Sequence, residues 1–296
     1  MLGRRVVKGK AGRPGVALAM IKRGLPPIAL ALALTACGTV SGPHGGAATD
    51  TTRDGAPSRK VDVASIPDAV PRAEPRSKYG NPATYAVAGK TYRIMPDSEG
   101  YVESGIASWY GTKFHGRRTS SGEPYDMHGM TAAHKTLPLP TYAEVINLQN
   151  GRKVIVKIND RGPFHENRLL DLSYAAASKL GILATGTGLV EVRAITPQDA
   201  QEPSQATPGI ASVAAVADEP RAVKLYLQVG AFRGRDNAER LRERLDARID
   251  EGVKARIIEG QLYRVHIGPF ASVTEVDRFT SDLHKLGIRD TQVVID

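Results

Sequence analysis

The sequence is poor in the features that announce the commoner chemistries. It has one cysteine, Cys37, so no disulfide can form within the chain. It has no acidic residue before Asp50. The apolar core of its leader, Ile28–Leu34, is far shorter than the roughly 20 residues a membrane-spanning helix needs. HExxH is absent, and the spacings of His115, His128, His134 and His165 match no common zinc hydrolase. Neither GxSxG nor SxxK occurs, which argues against the commoner serine enzymes, and no glycine-rich phosphate loop is present. No metal or other cofactor is therefore expected. Nor is there a basic stripe with interleaved aromatics of the kind that binds nucleic acid.

The charge balance sharpens that exclusion. The net charge of +9 sits in the leader, where Arg4, Arg5, Lys8, Lys10, Arg13, Lys22 and Arg23 precede any acid. Subtracting these seven from the 40 bases leaves 33 against 31 acids, a remainder of +2. A charged start, a short apolar core and a small-residue exit make residues 1–36 a secretory signal. Met20-Ile21-Lys22-Arg23-Gly24 would serve as a normal start by itself. The exit, Leu34-Thr35-Ala36-Cys37, resembles the lipobox of bacterial lipoproteins. That resemblance implies acylation of Cys37 as the new N-terminus and a membrane anchor. Gly38 then favours the periplasmic face of the outer membrane. An ordinary cleaved signal with an incidental cysteine is the alternative.

A length of 296 residues is a prior for two domains. Residues 37–78 hold few large apolar side chains and read as a disordered tether. About 40 coil residues would reach roughly 35 Å r.m.s.. From 79 to 196, short β-rich runs recur: "KTYRIM", "GIASWYG", "MTAAH", "YAEVINL", "KVIVKI", "RLLDLS" and "LVEVRAI". Asn150-Gly151 marks a hairpin between two of them. One helix is expected at Ser173–Leu180, with Ser173 as N-cap and Gly181 as stop. The pattern is that of a closed or partly closed barrel. A linker rich in Ala, Gln, Pro and Ser follows at 197–220. The last segment, 221–296, repeats internally, "LQVGAF" returning as "VHIGPF", each a strand before an amphipathic helix. Its order, β-α-β-β-α-β, is a ferredoxin-like α+β pattern.

The stretch Val154–Ser173 carries the most chemistry. A β-branched strand runs into Asn159-Asp160-Arg161-Gly162-Pro163, and a second apolar run follows with Asp171. Carboxylates thus stand at the ends of two strands joined by a Gly-Pro loop. "GIASWYG", "TSSGEPYD", "TAAHKTLP", "NLQNG", "INDRGPF" and "LLDLS" occur in the order and spacing of the rare lipoprotein A (RlpA) family, which the chain resembles over Tyr79–Ile195 and Val223–Ile295. The resemblance implies a six-stranded double-psi β-barrel followed by a SPOR domain. It also implies lytic transglycosylation of peptide-stripped peptidoglycan at the division septum, cutting the MurNAc-β-1,4-GlcNAc bond. An acid protonates the leaving oxygen. As a base it then takes the proton of the C6 hydroxyl, closing a 1,6-anhydro ring.

Motif matching to the family implies a catalytic set of Glu123, Asp126, His134 and Asp160. Asp160 is expected to be the acid/base, beside Gly162 where a glycan can approach the backbone. Glu123 would position sugar or share the proton, and His134 would hold a carboxylate. Asp171 resembles an acid of the related expansin and family-45 endoglucanase barrels and is the second candidate. Trp109 and Tyr110 offer stacking faces, with Tyr125 as a lesser candidate, and Arg161 joins the binding set. Plainer readings stand next to these. Asp160 and Asp126 suit turns, and Asp171 suits a partner of Arg161 or Arg168 or a helix cap. Trp109 suits the core, His134 a satisfied structural site, and His128 and His165 loops.

In the SPOR domain Gln228, Phe232, Tyr263, Arg264 and His266 are candidates for a glycan-binding face, although Tyr263 and Arg264 must point opposite ways. The expected partners are denuded glycan strands and the membrane, through Cys37, with division proteins open as further partners and nucleic acid excluded. The alternative from another class is a non-catalytic, expansin-like wall-binding lipoprotein.

Overall fold

The computed structural model describes residues 54–59, 61–196, 223–248 and 253–296. The expected signal, Cys37 and the 197–220 linker lie outside them. In chain order the strands are β1 (Thr84–Val87), β2 (Lys90–Arg93), β3 (Val102–Tyr110), β4 (Thr131–His134), β5 (Thr141–Asn147), β6 (Lys153–Asp160) and β7 (Arg168–Ser173). Helix α1 (Tyr174–Leu180) and β8 (Thr187–Ile195) complete the first region. The second has β9 (Leu225–Phe232), α2 (Arg235–Asp246), β10 (Lys254–Ile258), β11 (Tyr263–Phe270), α3 (Val273–Lys285) and β12 (Gln292–Ile295).

Strands β3 to β8 close into a barrel in the order β3-β7-β4-β6-β5-β8. Two pairs, β3/β7 and β4/β6, are parallel and the rest antiparallel, the crossed arrangement of a double-psi barrel. Alternation sets the faces: in β6, Val154, Val156 and Ile158 point inward while Lys153 and Lys157 do not. Ala107, Ala132 and Ala143 keep the interior narrow enough to fill with Val145, Leu170, Leu172 and Val192. Gly151, at φ 69°, makes the turn between β5 and β6. Ser173 caps α1 through its Oγ, which accepts from Ala176 N, and Gly181 stops it at φ 80°.

Two features depart from the expectations. The run "KTYRIM" supplies β2, which pairs with β1 in a separate hairpin outside the barrel. Six closed strands leave no edge for a seventh. From Asp54 onward the segment expected to be free tether is also laid on the barrel. Val63, Ile66 and Ala69 pack on its core. Ala69 N donates to Ile155 O at 3.0 Å, and Asp68 accepts from Ile155 N at 3.1 Å and pairs with Lys179. Few apolar residues suffice here, because the segment borrows a core already built rather than burying its own.

The second region is a four-stranded antiparallel sheet, ordered β10-β11-β9-β12, with α2 and α3 packed on it. Ala238, Leu241 and Leu245 of α2 and Val276 and Leu283 of α3 are buried, as helical spacing predicts. It touches the barrel. Ile106 and Leu189 share an apolar cluster with Leu225 and Leu227, and Asn167 Nδ2 donates to Asp277 Oδ1 at 2.8 Å.

Candidate active site

Register brings the two strand-end acids together. Ala133 of β4 is the partner of Asp160 on β6 and of Asp171 on β7. The acids therefore flank one strand, about 10 Å apart between Cα atoms by ordinary strand spacing. Ala133 forms the floor between them. Gly162, at φ 144°, passes overhead, and a Cβ there would stand 3.8 Å from both Ala133 Cβ and Asp171 Oδ2. A side chain would be strained at that φ and would crowd the space between the acids.

The acids differ in environment. Asp160 Oδ1 accepts three hydrogen bonds, from Ser120 N at 2.8 Å, Ser120 Oγ at 2.6 Å and Arg161 N at 2.7 Å. It is the anchor that folds the 119–125 loop over the end of β6. Asp171 is held at Oδ1 by the Ser108 hydroxyl, which itself accepts from Arg168 Nη1 at 3.1 Å. Burial pushes the Asp171 carboxyl above its ordinary range, and Ser108, Arg168 and Lys135 only partly oppose it. Burial likewise pushes the Lys135 ammonium down.

Glu123 does not meet Asp160. Its Oε1 accepts from Lys157 Nζ at 2.8 Å and its Oε2 from Asn159 Nδ2 at 2.7 Å. Burial raises the Glu123 carboxyl, yet these partners outweigh it and hold the group below the usual range. A carboxylate so stabilised is a poor sharer of a proton.

His134 is buried and neutral. Burial, with Lys135 and Arg161 beside it, lowers its pKa to about 3. Nδ1 accepts from Leu137 N at 3.0 Å and Thr136 N at 3.2 Å, which places the proton on Nε2, 3.0 Å from Tyr101 Oη. Tyr101 in turn donates to Glu103 at 2.8 Å. The ring therefore shapes the loop after β4 and reaches neither Asp160 nor Asp171. Asp126 is exposed and accepts from His128 N at 2.9 Å, a turn cap.

The expected binding residues also resolve. Tyr110 is buried and stacked on Tyr125 at 4.1 Å, so it offers no free face. Burial, Tyr125 and then both acids push its hydroxyl upward, which puts it in the field of Asp160 and Asp171. Trp109 is half-buried, packs on the barrel core and meets Tyr174 edge-on at 5.9 Å. Arg161 is a strut, donating to Gly80 O, Leu137 O and Asn81 Oδ1. Beside it runs a cavity of about 340 Å³ lined by Pro82, Tyr85, Val87, Ser120, Arg161 and Phe164.

In the second region, Gln228 and His266 are register partners, 3.4 Å apart, on the face opposite buried Leu227 and Ile267. Arg264 shares their face by alternation along β11. Phe232 and Tyr263, also register partners, pack against the apolar cluster instead. The sequence alone gives no role to Ser108, Ser120, Lys135, Tyr85 or Phe164. Ser108, Ser120, Lys135 and Phe164 lie inside motifs already singled out. Their contacts, and that of Tyr85, become visible only when the strands are paired.

Residues 102–194 match the family model described as "Lytic transglycolase", and residues 222–294 match that of the SPOR domain. The chain is similar to proteins named endolytic peptidoglycan transglycosylase RlpA in several bacteria. With that of Pseudomonas aeruginosa it is 44% identical over 279 residues, covering 76% of this chain and 80% of the relative. With that of Vibrio cholerae it is 48% identical over 174 residues, 59% and 64% of the two chains. With that of Neisseria meningitidis it is 53% identical over 130 residues, 44% and 54%.

Proposed function

The chain belongs to the RlpA family of endolytic peptidoglycan transglycosylases, and from that premise we infer how its barrel works. The substrate is the glycan strand of peptidoglycan, cut at the MurNAc-β-1,4-GlcNAc bond. Asp171 is the proton-transfer group. The observation that carries this choice is its half-buried carboxyl, raised in pKa by desolvation and held by one hydroxyl, facing the open backbone of Gly162. Protonated Asp171 gives its proton to the glycosidic oxygen as the C1–O bond breaks. The resulting carboxylate takes the proton of the C6 hydroxyl as that oxygen bonds to C1, which closes the 1,6-anhydro ring and restores the acid. No water enters, so no second carboxylate is needed to activate one. Asp160, its Oδ1 committed to three donors, positions the Ser120 loop and adds negative charge across the floor. Glu123, paired with Lys157 and Asn159, braces the same loop.

The SPOR domain binds glycan through the face that carries Gln228, Arg264 and His266 and enriches the protein at the septum. Acylation at Cys37 anchors it in the cell envelope, at the periplasmic face of the outer membrane. The lipobox-like exit after a core too short to span supports that reading.

Incubating the purified full chain with peptide-free glycan strands tests the central reading. Anhydro-muramyl ends, detected by mass spectrometry, are expected from the wild type and not from Asp171→Asn. Strands left intact by a folded wild type would overturn it in favour of a non-catalytic wall-binding protein.

A further inference from the structure

The hairpin β1–β2 takes no part in the acid pair and lies outside the matched residues 102–194. It nevertheless faces the site. Tyr85 stacks on Tyr92 with ring centroids 5.2 Å apart. Phe164, two residues beyond Gly162, meets the two rings at 6.3 Å and 5.8 Å. Tyr92 is buried beneath, Tyr85 is half-buried and Phe164 remains 43% exposed. The Tyr85 hydroxyl donates to Lys135 O at 2.7 Å, which pins the hairpin to the loop beside Asp171. The cavity of about 340 Å³ runs between this aromatic cluster and the barrel. Two of its walls, Ser120 and Arg161, are the residues whose donors hold Asp160.

A part-exposed aromatic face beside polar groups suits a pyranose ring, whose C–H face stacks while its hydroxyl and acetamido groups reach donors and acceptors. The size falls within the roughly 300–1,000 Å³ of small-ligand sites. We propose that the hairpin builds a glycan subsite, in which Tyr85 and Phe164 hold a sugar ring of the strand some distance from the bond being cut. The occupant is a glycan because two walls of the cavity, Ser120 and Arg161, are hydrogen-bonded to Asp160, which sets the cavity beside the acid pair. This inference rests on reading the barrel as a glycan-cleaving site. The barrel would then supply the reacting acids, while the hairpin adds reach along the strand.

Two measurements on the full chain test it. The first is steady-state cleavage of long peptide-free strands by wild type, Phe164→Leu, Tyr85→Leu and Phe164→Tyr. Losing one aromatic face should raise KM roughly 3–10-fold, with kcat changing far less. Phe164→Tyr, which keeps the ring, should stay near wild type. The second uses the Asp171→Asn chain, which leaves strands intact, and follows amide hydrogen exchange in residues 84–93. Added strands should slow exchange there, and Phe164→Leu should abolish the slowing. An unchanged KM for both Leu variants, or hairpin amides that stay unprotected while the barrel strands become protected, would overturn the subsite. Should the wild type release no anhydro ends, the transglycosylase reading falls and the exchange measurement alone decides the hairpin.

Discussion

The barrel and the C-terminal sheet answer the same structural problem in opposite ways. The barrel pairs every strand edge, whereas β10 and β12 leave the C-terminal sheet open at both sides. Their interiors differ as much. Ser108, His134, Asn147, Asn159 and Ser173 are buried polar residues of the barrel, while Thr280 is the one such residue among the described residues of the C-terminal region. Closure explains the contrast. Strands and loops crossing in a narrow barrel bring partners to buried polar groups, Asp171 to the Ser108 hydroxyl, Leu180 O to Asn147 Nδ2 and Glu123 to Asn159 Nδ2, although Asn159 Oδ1 is left without one. Only there can burial lift a carboxyl such as Asp171 while nearby donors keep it fixed. The open sheet has a solvated face instead, suited to covering a long ligand. Proton transfer and grip are thereby divided between the two.

The largest expected effect breaks this division in the barrel. Asp171→Asn should lower turnover by about 10²–10⁴-fold, the usual contribution of one general acid–base group. Burial raises the folded-state pKa of Asp171, so the cost of its ionisation is present at pH above that value and vanishes at pH below the unfolded one. The Asn variant should therefore melt no lower than wild type at neutral pH. Wild-type turnover should fall as pH rises through the raised pKa, because the acid form is lost.

Asp160→Asn should do the reverse. With a weaker acceptor facing three donors, it should cost about 1–3 kcal/mol of stability and a smaller share of the rate. Melting curves and turnover measured on both variants separate the roles. A well-folded but dead Asp160→Asn beside an active Asp171→Asn would exchange them.

His134 sharpens the contrast without touching the reaction. Its folded pKa of about 3 lies below the unfolded 6.5, so its contribution to stability is full above about pH 6.5 and is lost as pH falls towards 3. Melting of the wild type should drop across that window with uptake of a proton on unfolding. His134→Gln should start lower at neutral pH and show a flatter acid limb.

Much of this was legible in the chain. The β6 alternation, the Ser173 and Gly181 caps and the repeated strand-helix units in the C-terminal region are local signals, and each formed where expected. The motifs also named both acids. What the sequence does not display depends on pairing distant segments. Ser108 meets Asp171 only because β3 runs parallel to β7. Tyr110 looked like a free ring until the stack with Tyr125 covered it. The strap from Asp54 has too little apolar surface to fold by itself, and nothing local shows that the barrel offers it a place. The two acids differ in the donors around them, three at Asp160 Oδ1 and one hydroxyl at Asp171 Oδ1, a difference that spacing does not carry.

The smallest expected effect lies where the two regions meet. Asn167 is buried and its Nδ2 reaches both Asp277 Oδ1 at 2.8 Å and Thr280 Oγ1 at 2.9 Å of α3. In Asn167→Ala, Thr280 keeps its bond to Val276 O at 2.9 Å, and Asp277 is half-exposed and can turn to water. The loss should stay near 1–2 kcal/mol, the order expected for hydrogen bonds whose partners are not orphaned. Turnover on isolated strands should not change, because Asn167 touches neither acid. A thermodynamic cycle isolates the contact. Asn167→Ala should lower the melting temperature of the full chain, but not of a chain ending before Val223, where the partners are already gone. Equal shifts in both chains would show that Asn167 stabilises the barrel by itself, and the two regions would then be joined through the apolar contact of Ile106 and Leu189 rather than through this side chain.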